Sequence, residues 1–242
     1  MIRTMASIAT LITALLVSLA AAAQSPLELR LGQRGHQYEV TITNLSPGQT
    51  FTPQLVVTHS PNSRFVQGAE PLFELGEPAS EVLEILAEDG DTAPLMDSLA
   101  NFATDMITID GLLGPGQSSS VVIRARPRDR LSVAAMLIPT NDTFMALLSM
   151  ELPIRRGREA QMQVPAYDAG TEANDQNCQN MPGPRCAGEG YSPGPNEGDE
   201  GFVHISNGFH DLGDSGANGG EVLAPATYDW RNPVARITVT RK

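Results

Sequence analysis

The sequence predicts an all-β fold, an antiparallel β-sandwich with two short inserted helices. Short runs of β-branched and other apolar residues recur along the chain, bounded by Pro, Gly or Asn. One of them, Tyr38-Glu39-Val40-Thr41-Ile42-Thr43, alternates apolar and polar residues as a strand does with one face on a core and one in water. A stretch of helical spacing interrupts the series only once.

The predicted strands are 27–31, 38–44, 55–58, 106–109, 119–125, 131–138, 147–152, 160–164 and 234–240. Residues 131–138 are apolar almost throughout, which places that strand in the middle of the core. Between 78 and 101, Val82, Leu83, Ile85 and Leu86, then Leu95, Met96 and Leu99, fall at helical spacing. Asp91 or Thr92 stands where a cap is needed, with Pro94 in the first turn of the second helix. Two such helices would cover an edge or an end of the sandwich.

The amino terminus has the pattern of a secretory signal peptide over residues 1–23. Arg3 precedes an apolar run that closes in Ala21-Ala22-Ala23, ahead of Gln24. The run is short for a spanning helix of about 20 residues and no basic stop-transfer cluster follows, so no transmembrane segment is expected in the mature chain, 24–242. The expected destination is secreted or periplasmic. The chain carries a net charge of −12, which argues against nucleic acid as a partner and against simple electrostatic docking on anionic lipid. In an oxidising compartment the two cysteines, Cys178 and Cys186, are expected to form a disulfide that staples a local loop. Two lone thiolates fall short of the four ligands of a structural zinc site.

From 176 to 220 the texture changes to a Gly/Pro-rich loop, with six glycines and four prolines between Met181 and Gly201. Apart from the disulfide nothing in that stretch predicts order, and partial disorder is expected.

The chemistry-bearing residues are acidic. Asp168 and Glu172 stand four apart around Gly170 directly after a strand, an arrangement that can offer oxygen ligands to a hard cation. Asp142 lies in the loop leaving the most apolar strand, and two chain reversals bring that loop to the same end of the sandwich. A cation would relieve the mutual repulsion of the three carboxylates. Glu88, Asp89 and Asp91 form a second acidic group that helix capping explains. His59 and Ser60 have no third member or nucleophile elbow and are expected to be a structural polar pair. His204 and His210 lack zinc-type spacing. Trp230 is expected to be a lid on the sandwich rather than an exposed anchor.

Taken in order, Tyr38 to Asn44, Thr58-His59-Ser60, the strand ending in Pro139 before Asp142, the run Tyr167-Asp168-Ala169-Gly170-Thr171-Glu172 and the closing Pro233-Val234-Ala235-Arg236-Ile237-Thr238 resemble the spondin amino-terminal domain of F-spondin and mindin. The resemblance implies a β-sandwich akin to calcium-dependent lipid-binding domains, with Ca²⁺ held by Asp142, Asp168 and Glu172. Thr140-Asn141 replaces the family's Ser-Pro before Asp142, and Glu172 replaces an aspartate. The function these features imply is a secreted calcium-binding module that contacts an unidentified extracellular or cell-envelope ligand and is not an enzyme. A metal-dependent hydrolase, and a structural envelope protein whose calcium serves folding alone, are the alternatives.

Overall fold

In β1 (His36–Asn44) Tyr38, Val40 and Ile42 are buried at alternate positions, as the sequence pattern requires. The strand lies inside a four-stranded antiparallel sheet ordered β5 (Ser118–Ala125), β1, β11 (Ala235–Arg241) and β8 (Glu159–Val164). A second sheet runs β10 (His204–Ile205), β9 (Ala166–Asp168), β7 (Thr143–Glu151), β6 (Arg130–Ile138), β3 (Gln54–His59) and β4 (Ala103–Ile109). Its seventh strand, β2 (Thr50–Phe51), pairs with β6. The computed structural model describes residues 35–61, 72–210 and 221–242. The leader expected at 1–23, the strand expected at 27–31 and residues 211–220 of the Gly/Pro-rich loop lie outside the described residues.

The all-β sandwich is therefore present, and its layering explains the apolar strand. Leu131, Val133, Ala135 and Leu137 of β6 face the first sheet, together with Met145 and Leu147 of β7. The opposite faces of the same strands carry Ala134, Phe144 and Ala146. There they meet two helices, α1 (Glu81–Asp89) and α2 (Ala93–Leu99), through Leu83, Leu86, Leu95 and Leu99. The sequence expectation of an edge or end position is corrected: the helices cover the outer face of the second sheet. The cause is the two-sided apolar character of β3, β6 and β7, which leaves an uncovered hydrophobic face for an amphipathic helix to bury. Gly90, at φ 71°, ends α1, and the Oδ1 of Asp91 accepts the amide of Ala93 at 2.8 Å.

Other boundaries also move. β7 starts at Thr143, four residues ahead of the sequence prediction, and β2, β9 and β10 were not predicted. Strands of two or three residues are too short for a period to register. The chain leaves β8 in the first sheet and enters β9 in the second, where Asp168 falls opposite both Thr143 of β7 and His204 of β10.

Cys178 and Cys186 are bonded to each other. The expectation of disorder does not hold for residues 176–210. Cys178 N–H donates to Glu221 O at 2.9 Å, Leu223 N–H to Gln176 O at 3.0 Å and Val203 N–H to Glu77 O at 2.9 Å. Backbone partners order this segment together with Cys178, Met181, Val203 and Phe209, which it buries in the two cores. Trp230 is buried beside Phe209, with ring centroids 5.7 Å apart, and closes the core as a lid. His59 is buried with Nε2 2.9 Å from Ser132 Oγ. Among the described residues no helix is long and apolar enough to cross a membrane.

Candidate metal centre

The loop between β6 and β7 carries Asp142, wholly buried. Its Oδ2 accepts the backbone amides of Thr171 at 2.7 Å and Glu172 at 3.2 Å, while its Oδ1 is buried with no hydrogen-bond partner. Thr140 and Asn141 hold this loop: Thr140 Oγ1 donates to Leu137 O and accepts the amide of Thr143, and Asn141 Nδ2 donates to Asp175.

Asp168 ends β9. Its Oδ1 accepts Gly170 N–H and its Oδ2 accepts Asn174 Nδ2, both at 3.0 Å. The same Asn174 amide donates to Glu200 Oε1 at 3.0 Å, drawing the two carboxylates together. Across the β9–β10 register, His204 Nε2 lies 3.4 Å from Asp168 Oδ1 and makes no hydrogen bond, while its Nδ1 faces Ile205 O at 3.1 Å. One ligand atom from each of Asp168, Glu200 and His204 lies within 4.8 Å of the others.

Glu172 turns toward the helices. Ser192 bridges it to α1: the Ser192 hydroxyl donates to Glu172 Oε1 at 2.9 Å and the Ser192 amide to Glu88 Oε2 at 2.8 Å. Glu88 Oε1 is buried without a hydrogen-bond partner. Gly170 makes the enclosure possible, because at φ 67° a Cβ would stand 2.2 Å from Phe202 O. The loops leave a cleft of about 260 Å³ bordered by Glu84, Thr171 and Asp199.

Burial drives the electrostatics. Asp142 and Asp168 are both raised above the usual carboxylate range, first by desolvation, and the charge on Asp168 raises Asp142 further. Glu172 is pushed up to about 8 by burial and then by the charge on Glu88, and Glu88 to about 7 mainly by burial. Among the described residues no Lys or Arg forms an ion pair with these acids. Buried, mutually repelling carboxylates with unpartnered oxygens are the donor set of a hard divalent cation, so the residues present fit the ion that the resemblance implies.

The three sequence-predicted ligands thus share one end of the sandwich, but they do not close into a single tight group. Asp142 stands between an Asp168–Glu200–His204 side and a Glu172–Glu88 side. Two expectations are corrected. Glu88 is not explained by capping, since it is buried at the end of α1 and faces Ser192 and Glu172. His204 belongs to the cluster despite lacking a metal-type spacing, because strand register rather than local sequence delivers it. The apolar pair Val203 and Ile205 around His204, just after the Gly/Pro-rich stretch, was the one available signal.

No curated protein matches the chain. The model of the Spondin_N family matches residues 41–181, more than half of the chain, a span that holds Glu88, Asp142, Asp168 and Glu172 and stops short of Ser192, Glu200 and His204. With the sandwich and this acidic end in place, the chain belongs to the spondin amino-terminal domain family.

Proposed function

We propose that the chain is a calcium-binding module of the extracellular or envelope space, in which the ion fixes the loops at one end so that they contact a ligand or surface. The observation that carries the proposal is the buried carboxylate cluster around Asp142, with Asp142 Oδ1 and Glu88 Oε1 lacking partners. Asp142, Asp168 and Glu172 would hold the ion, with Glu88 and Glu200 near enough to join them. A bound divalent cation supplies the positive charge that keeps these acids ionised. The protein's own contribution is to hold each carboxylate by backbone amides and by Asn174 and Ser192, which suits binding rather than turnover. Many oxygens on adaptable loops favour Ca²⁺ over Mg²⁺, which prefers a tight octahedral shell and retains its waters. The Cys178–Cys186 bond supports a secreted or periplasmic setting, where disulfides persist.

The burial of the cluster also favours a narrower role, with calcium serving only to fold the 171–201 loops. The two readings separate in one experiment. Attachment of the purified protein to extracellular and envelope fractions should be lost on chelation and restored by calcium. Attachment that survives metal removal would leave calcium a folding role only.

A further inference from the structure

The end of the sandwich opposite the acids is basic and hollow. Where β6 begins and β7 ends, a cavity of about 510 Å³ opens between the β5–β6 turn, the β7–β8 loop and the last residues of β11. That is within the range of small-molecule sites, roughly 300–1,000 Å³. In an acidic chain, nine of the 16 lysines and arginines lie in the segments at this end, as Arg124, Arg126, Arg128 and Arg130, Arg155, Arg156 and Arg158, and Arg241 with Lys242, and of these Arg128, Arg130 and Arg241 line the cavity. We propose that this cavity binds a small amphiphilic organic anion, a carboxylate or phosphate group carried on an apolar body.

Three observations specify the ligand. The walls are largely apolar, with Tyr38 and Leu152 inside and the exposed Pro127 and Ile154, the latter 84% exposed, at the mouth. Among the cavity's other charges, Arg130 pairs with Glu151 at 2.7 Å and Asp129 Oδ2 accepts the amide of Arg126 at 2.7 Å, while the exposed Arg128 forms no ion pair among the described residues. Arg241 differs from Arg128 in being partly buried. Its backbone anchors the β7–β8 loop through Gly157 N–H and Arg158 O, yet among the described residues its guanidinium forms no ion pair, and its Nε is buried without an acceptor. A guanidinium that lines a cavity without an ion-pair partner offers its planar fork to a carboxylate or a phosphate alike. Burial raises the Tyr38 phenol and the charge on Asp129 adds to it, with Arg241 opposing only in part, so Tyr38 brings a neutral hydroxyl to the same place. Arg128 is held at the rim at φ 75°, a left-handed conformation that non-glycine residues avoid.

The site is independent of the acidic end, so the test is run with chelator present. Octanoate, octyl phosphate, 1-octanol and inorganic phosphate are titrated calorimetrically against the purified chain. At least one of the two amphiphilic anions should bind, and the tighter one identifies the headgroup. Octanol and inorganic phosphate should each bind at least about tenfold more weakly. Arg241→Gln should weaken the anion about tenfold or more and leave octanol unchanged, while keeping a cooperative melt, since only its side chain faces the cavity. Ile154→Asp, at an exposed position, should weaken whichever octyl anion binds. Octanol binding as tightly as the tighter anion, an affinity of that anion indifferent to Arg241→Gln, or no binding of either anion would overturn the proposal.

Discussion

Asp142 has one carboxylate oxygen on two backbone amides and the other on no hydrogen-bond donor. Removing its charge should therefore act in opposite directions on the two forms of the protein. Asp142→Asn should raise the stability of the chelated protein, by relieving desolvation and repulsion from Asp168, and should lower calcium affinity by about tenfold or more. Melting curves with chelator and with calcium check both signs. Glu88→Gln is the sharper test of the enlarged cluster: a helix-capping residue would leave calcium binding untouched, whereas the buried Glu88 should weaken it. Gly170→Ala should cost at least about 1 kcal/mol, because φ is positive and the added Cβ meets Phe202 O, and a melt equal to wild type would contradict that packing. That Asp142, Asp168 and Glu172 share one end of the sandwich was legible, the last two as acids around a glycine after a strand and Asp142 from the two chain reversals that return the chain to that end. Glu88 was hidden among Asp89 and Asp91, which stand near helix ends, and Glu200 lay within a stretch whose composition signals only turns.

At the scale of elements, the longer strands were legible because their burial is periodic or continuous. β9 and β10 were not, although they position Asp168 and His204, because their pairing is decided by partners far away in sequence. The helices were legible as helices from their spacing. Their location depends on a sheet face that no local pattern describes. The disulfide loop changes meaning once its surroundings are seen. Closing a loop of separation 8 stabilises by roughly 2–3 kcal/mol in chain-entropy terms, while Asp175 and Asn180 beside it brace Asn141, next to Asp142. Reduction should therefore leave a cooperative sandwich yet weaken calcium binding. Titration of the Cys178→Ser, Cys186→Ser protein checks this, and an affinity equal to wild type would detach the loop from the site.

Across the whole molecule, a net charge of −12 hides a separation of charge, acids at one end and arginines at the other, so the total is a poor guide to either surface. The acidic end makes stability depend on pH in a defined direction. Glu88 and Glu172, ordinarily near 4.5, are raised to about 7 and about 8, so the folded chain binds protons more tightly than the unfolded one. Stability of the chelated protein is then greatest below about pH 4.5 as far as these groups contribute, and is lost as pH rises toward 8. Saturating calcium should oppose that loss, adding about 2.7 kcal/mol at a free concentration 100 times Kd. Melts across pH 5–8, with and without calcium, give the comparison. Export is checked separately by intact mass, with a mature chain beginning at Gln24 as the expected result. The central claim rests on calorimetric titration of the chelated wild type, Asp168→Asn and Asp89→Asn. Calcium heat in the wild type and in Asp89→Asn, with its loss in Asp168→Asn and a weaker response to magnesium, is the predicted result. No calcium heat in the wild type, or equal loss in both variants, would contradict it.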